Sequence, residues 1–286
     1  MSKTILISGV TGKQGGALLQ ALQSYPEYSS LSIRAIVRDP AAASQKFGSA
    51  GISFHKANLT DKASLESAMA GVDTAFLVTI PRPNAEAEVT QGKTFIDAAK
   101  AAGVKYIVFS SVGSAERDTG VPHFDSKREV EKYLADSGIA YSIIRPVAFM
   151  DGLPLQGAGR FFALGIFKAT LKGNKIQLIA VKDIGIWLAK AIMDPQGWKS
   201  KEVELAGDNL NVTEILDVYE KVQGSRPWVA WLPLFLINLM LPKDFSLMFK
   251  FFREDGYRAN IPELKKTHPE LMSFEDYLLE SSKKTN

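Results

Sequence analysis

The chain has 286 residues, 46% of them hydrophobic, with 22 glycines and 13 prolines; it can bury a large core, and no stretch is biased towards disorder. Its formal charge is +3, from 34 basic and 31 acidic residues without a basic stripe, which argues against nucleic-acid binding and suits a small anionic ligand. The absence of cysteine excludes disulfides, thiolate catalysis and cysteine-ligated metals, and His55, His123 and His268 are too dispersed to suggest a cluster, so no metal is expected.

The N-terminus lacks the long apolar core of a signal peptide. Strands are predicted at 4–8, 32–37, 52–57, 74–79, 106–110 and 141–145, near-continuously apolar as parallel strands covered on both faces should be. Helices at 15–23, 62–70, 86–102 and 126–137 lie between them, punctuated by Gly71, Gly103 and Gly138, since glycine suits the left-handed backbone that ends a helix. This alternation predicts an α/β fold over residues 1–150: a doubly wound parallel sheet of Rossmann type with right-handed crossovers.

After Pro146 the rhythm changes. Residues 151–159 read as a loop, 161–171 and 184–193 as helices, 202–205 as one more strand, and Thr213 as the N-cap of a further helix. The most apolar stretch, 228–241, is broken by Pro233 and Asn238 and falls short of a bilayer span. It reads as a pocket wall or buried helix, and the protein as soluble and cytoplasmic with no membrane partner. Trp228, Trp231, Phe235, Phe245, Phe249, Phe251 and Phe252 read first as core, and second as the lining of an apolar cavity for a flat or bulky ligand. Residues 151–286 are expected to form a smaller C-terminal α/β substrate domain or cap, with 178–206 returning to the main sheet.

The first strand runs into Gly9-Val10-Thr11-Gly12-Lys13-Gln14-Gly15-Gly16 and then a helix. Gly9 permits a tight turn, Gly12 lets backbone N–H groups approach a pyrophosphate, and Gly15 lets the helix pack closely. The helix N-terminus then faces the negative charge. A phosphate loop of the nucleotide hydrolases is excluded, because Ile7 and Gln14 stand where it needs glycine and Ser or Thr. An NAD site usually ends its second strand with an acidic residue that holds the ribose 2′-OH. Arg38 follows this strand instead, and a guanidinium suits a 2′-phosphate, with Lys13 and Lys56 adding charge. NADP(H) is therefore the expected cofactor, while the adjacent Asp39 keeps NAD(H) in view.

This loop with Arg38 resembles the NmrA-like family of atypical short-chain dehydrogenases/reductases. Also similar are Pro122-His123-Phe124-Asp125-Ser126-Lys127-Arg128-Glu129-Val130-Glu131, Ile143-Ile144-Arg145-Pro146, Ala180-Val181-Lys182-Asp183-Ile184-Gly185 and Glu204-Leu205-Ala206-Gly207. The resemblance implies a Rossmann domain, NAD(P) binding and a small C-terminal domain, but no single activity: the family includes cofactor-sensing co-regulators, reductases of quinones and other carbonyls, and enzymes of secondary metabolism. The cofactor-binding set is read as Gly9, Thr11, Gly12, Lys13, Gln14, Gly15, Arg38, Asn58, Thr79, Lys127 and Pro146.

Short-chain dehydrogenases place Tyr-x-x-x-Lys on the helix after the fifth strand, both side chains on one face. Here His123 stands in the tyrosine position and Lys127 in that of the lysine. The resemblance assigns Lys127 to the nicotinamide ribose and Ser111, or its neighbour Ser110, to the carbonyl oxygen. His123 either gives a proton, since imidazole titrates near neutrality, or merely caps or packs the helix start. Phe149, Met150, Trp228 and Trp231 are the expected substrate-pocket residues. Three functions stand at this level. The first is an NADPH-dependent reductase of a bulky apolar carbonyl, quinone or imine. The second is a non-catalytic NADP(H) sensor with a protein partner, and the third a secondary-metabolism enzyme doing non-redox chemistry. Turnover itself is left open.

Overall fold

Unbroken apolar runs leave a strand no polar face to turn to water, so it must be covered on both sides. The computed structural model, which describes residues 3–48 and 51–283, shows this at once: Ile5, Leu6 and Ile7 of β1 (Thr4–Ser8) are completely buried. Each such side chain contributes about 1.5–3 kcal/mol of burial free energy. Then come α1 (Lys13–Gln23), β2 (Ser32–Val37), α2 (Pro40–Phe47), β3 (Ile52–Lys56), α3 (Lys62–Met69), β4 (Thr74–Val78), α4 (Ala85–Ala101), β5 (Tyr106–Ser110), α5 (Pro122–Asp136) and β6 (Ala140–Pro146). β7 (Ala148–Phe149), α6 (Gly157–Leu171), β8 (Ile176–Ile179), α7 (Val181–Met193), α8 (Pro195–Trp198), β9 (Glu202–Leu205) and β10 (Asp208–Leu210) follow. Five helices complete the described chain: α9 (Val212–Gln223), α10 (Leu234–Met240), α11 (Lys243–Glu254), α12 (Ile261–Thr267) and α13 (Phe274–Lys283).

Among the described residues, seven strands form one sheet in the order β3-β2-β1-β4-β5-β6-β9, and the pairs from β3 to β6 are parallel. The winding direction reverses between β1 and β4, and such a switch point opens a crevice at the carboxyl ends of the strands. The expected Rossmann sheet is therefore present. Gly71, Gly103 and Gly138 take positive φ (73°, 75° and 81°) just past α3, α4 and α5, as their helix-ending positions require.

The chain divides into two compact units. The first comprises residues 1–116, 123–145 and 184–203, and the second 117–122, 146–183 and 204–286. In the first unit two glycines permit close helix contacts. A side chain at Gly185 of α7 would lie 2.8 Å from the Cβ of Ala17 in α1, and one at Gly92 of α4 would lie 2.6 Å from Val130 Cγ1 in α5. Trp187 and Trp198 pack edge to face inside this unit, ring centres 5.7 Å apart. In the second unit β7 and β8 pair in parallel and β8 and β10 antiparallel, over a core that includes Tyr219, Phe274, Leu164 and Met150.

Several sequence-based boundaries need correcting. α5 begins at Pro122 rather than 126, which places His123 in its first turn. α2 was not anticipated, although Asp39 caps it by accepting from the Ala42 N–H at 3.1 Å and Pro40 opens it. α6 starts at Gly157, inside the expected loop. The cap of α9 is Asn211, not Thr213: Asn211 and Glu214 form a reciprocal capping box. The small sheet was missed, because its strands have at most four residues and carry little periodic signal. The aromatic segment splits: Phe249, Phe251 and Phe252 are core, whereas Trp228 and Trp231 are 86% and 87% exposed, with Phe235, Leu239 and Met240 similarly open. Among the described residues no helix is long and apolar enough to cross a membrane.

Candidate functional site

At the end of β1, Gly9 adopts φ +62°, a left-handed turn in which a side chain would also strike Val78 Cγ1 at 2.8 Å. The turn closes with a 2.9 Å hydrogen bond from the Gly12 N–H to the Gly9 carbonyl, and α1 starts at once, with Gly12 as its N-cap. Gly12 offers no side-chain cap, and the first turn carries no acidic residue. The first N–H groups of α1 thus lie at an uncapped, partially positive helix end, a setting suited to an anion. A Cβ on Gly15 would lie on the Gly9 carbonyl group, 2.6 Å from its carbon and 2.8 Å from the Val10 nitrogen. The backbone is folded so tightly that only glycine fits there.

A cavity of about 340 Å³ opens beside this turn, lined by Ser8, Gly9, Thr11, Val37, Arg38, Asn58, Arg82 and Gln91 among others. The structure thereby brings Gly9, Thr11, Arg38 and Asn58 of the expected cofactor set to one cavity. A second hollow of about 300 Å³ joins Arg38 to Lys56, Asn58 and Ser64. Arg38 is exposed, and no carboxylate among the described residues pairs with it. Asp39, the residue that kept NAD(H) in view, is committed to capping α2. A larger cavity of about 780 Å³ lies at the amino ends of the strands, around Lys3, Thr74, Tyr106 and Ala140. That is the wrong end of a doubly wound sheet for a nucleotide.

The two serines ending β5 separate cleanly. The Ser110 hydroxyl donates to Gln14 Oε1 at 2.5 Å, tying the glycine turn to β5. Ser111 is 3% exposed, and its Oγ has no hydrogen-bond partner among the described residues. A buried hydroxyl left unpaired costs free energy, on the order of 1–3 kcal/mol, which sets Ser111 apart from its paired neighbour. Lys127 is also buried. Its ammonium sits 2.8 Å from Glu88 Oε1, donates to Thr79 Oγ1 at 3.1 Å and lies 5.7 Å from the Phe109 ring centre. His123 lies one turn earlier on the same helix face, half-buried, its ring edge-on to Phe124.

The remaining residues fall elsewhere. Lys13 and Lys56 are exposed near the turn and the second strand end, and Thr79 is buried with its hydroxyl donating to Glu88 Oε1. Pro146 closes β6 and is buried. Of the proposed substrate-pocket residues, all in the second unit, Met150 is sealed in the core and Phe149 half-buried on β7. Trp228 stands in solvent, and Trp231 lines a groove of about 240 Å³ with Gly165 and Lys168 of α6. Sequence reasoning missed Glu88, Arg82 and Gln91. Gln91 pins the segment after β4, accepting from the Ile80 N–H and donating to the Ile80 carbonyl, both at 3.1 Å. Among the described residues no group of three His, Asp or Glu side chains is placed to hold a metal.

The chain is 34% identical over 223 residues to quinone oxidoreductase 2 of Escherichia coli (strain K12), covering 78% of this chain and 75% of that protein. It is 31% identical over 191 residues to an NAD(P)H azoreductase of Xenophilus azovorans, covering 67% and 64% of the two chains. The crystal structure of the NADPH-dependent quinone oxidoreductase of Escherichia coli complexed with NADPH superposes with a TM-score of 0.77 at 27% identity, over 99% of this chain and all of that one. The NmrA-like family model matches residues 1–278, and the chain belongs to that family.

Proposed function

We propose that the protein is an NADP(H)-dependent reductase of a bulky conjugated acceptor of the quinone, carbonyl or imine type. One observation carries this reading: an unpaired guanidinium, Arg38, shares a cavity with the Gly9 turn, while the neighbouring carboxylate, Asp39, is tied to a helix cap. The amides at the start of α1 would hold the pyrophosphate, and Arg38, with Lys13 and Lys56, the 2′-phosphate. Lys127 would hold the nicotinamide ribose. The unpartnered Ser111 hydroxyl and the tight Gly15 cradle both fit such a ligand. Of the expected substrate-pocket residues, Phe149 and Trp231 stay in the proposal, whereas Met150, sealed in the core, and Trp228, open to solvent, are not placed to line a pocket.

The reduced nicotinamide supplies a hydride when bound. What the chain must then supply is a donor to the acceptor oxygen, the role of Ser111, and a proton, from His123 or from water. The acceptor's chemistry decides how much that proton matters. A simple ketone becomes an alkoxide, too basic to form without an acid at hand. A quinone becomes a phenolate-type anion, whose conjugate acid has a pKa near ~10, and water can protonate it. Histidine in the tyrosine position therefore favours conjugated acceptors. The names of the quinone oxidoreductase and azoreductase relatives support the same class.

Calorimetry should show NADPH binding at least about tenfold more tightly than NADH, and a panel of quinones, azo dyes and aldehydes should include at least one that consumes NADPH. No heat with either nucleotide would end this reading. His123→Ala should keep quinone turnover within about threefold, because water suffices; a loss of about a hundredfold or more would make the imidazole the obligatory acid. A second reading, a non-catalytic NADP(H) sensor, draws on the exposed apolar side chains of Trp228, Trp231, Phe235, Leu239 and Met240. Tight NADPH binding with no turnover across the panel would favour it.

A further inference from the structure

Glu88 is completely buried on α4, and three donors converge on its carboxylate: Thr79 Oγ1 at 2.8 Å, Ser126 Oγ at 2.5 Å and the Lys127 ammonium at 2.8 Å. The close crossing at Gly92 and Val130, one helical turn along α4 and nearly one along α5, brings the two charges together. A buried ion pair is weak evidence for stability, since an apolar pair of the same volume usually serves as well. What it does supply is a fixed position. The carboxylate neutralises Lys127 and, with the Thr79 hydroxyl and carbonyl at 3.1 and 3.4 Å, engages its N–H groups. An ammonium with its charge already balanced suits a neutral sugar hydroxyl and gives little to a phosphate. Such a hydroxyl can replace the long contact to the Thr79 carbonyl without unpairing the charges.

We propose that Glu88 is a positioning residue: through Lys127 it sets the site for the nicotinamide ribose, the half of the coenzyme nearest the chemistry. This rests on reading the first unit as an NADP(H) site. The test is calorimetry on the full chain with two ligands, NADPH and 2′,5′-ADP; the latter carries the Arg38-facing phosphate but no nicotinamide ribose. Glu88→Gln keeps the side-chain volume, and it should weaken NADPH about tenfold while leaving 2′,5′-ADP within about twofold. Ser126→Ala, which loosens the carboxylate but keeps the ion pair, should show the same split at about threefold and serves if the first variant fails to fold. Unchanged NADPH affinity in the folded variants, or equal losses for both ligands, overturns the role of Glu88 alone. Failure of the wild-type protein to bind either ligand overturns the cofactor reading and this inference with it.

Discussion

Arg38→Asp is expected to bind NADPH about a hundredfold more weakly than the wild type and NADH at least as well. The magnitude follows from the bonds at stake. A guanidinium and a phosphate form parallel charge-assisted hydrogen bonds, each worth about 1.5–3 kcal/mol where one partner is ionised, and the substitution replaces attraction by repulsion. NADH lacks the 2′-phosphate and loses nothing, while a carboxylate at the strand end can accept from its ribose 2′-OH. Nothing inside the protein competes for this guanidinium, since no carboxylate among the described residues pairs with Arg38, so the change should leave stability nearly untouched. Lys56→Ala is the milder companion, about threefold on NADPH, because it removes one exposed charge beside the same hollow. Isothermal titration with both nucleotides decides the matter; parallel losses for NADPH and NADH would put Arg38 against the shared part of the coenzyme instead.

Gly15→Ala should destabilise the first unit by about 3 kcal/mol and remove NADPH binding. Overpacking usually costs about 1–3 kcal/mol because side chains rotate away, but the atoms that a Cβ would meet here are all backbone: the Gly9 carbonyl and the Val10 nitrogen. They cannot yield without opening the turn that aims the α1 amides. The next residue is the internal control. At Gly16 the nearest atom is the Val10 carbonyl oxygen at 3.4 Å, an ordinary contact, and alanine there should be neutral or stabilise α1 by about 0.5–1 kcal/mol. Urea unfolding of the two variants beside the wild type measures both effects, and a Gly15→Ala protein as stable as Gly16→Ala would show that the turn is looser than its geometry.

The Rossmann half was legible because its signals are local. Apolar runs bounded by Gly71, Gly103 and Gly138, and the glycine turn between β1 and α1, speak through neighbours in the chain. The second unit was harder to read for the opposite reason. Strands as short as Asp208–Leu210 show no period, and Trp228 and Phe252 look alike in sequence although one faces water and the other the core. Asn211 was passed over for Thr213 because both are good caps; only the reciprocal bond with Glu214 separates them. The candidate site divides in the same way. Gly9, Arg38 and the His123–Lys127 spacing can be read from the chain. Glu88 cannot, because nothing in Ala85-Glu86-Ala87-Glu88 tells the exposed carboxylate from the buried one until Lys127 arrives from another helix. Likewise the choice between Ser110 and Ser111 waits on Gln14, which occupies the first hydroxyl and leaves the second unpaired.

The four tryptophans divide two and two: Trp187 and Trp198 are shielded within the first unit, and Trp228 and Trp231 stand almost wholly in water on the second. Intrinsic emission should therefore contain a blue component that iodide cannot quench and a red one that it can. Loss of the shielded component on heating would report melting of the first unit without any added label.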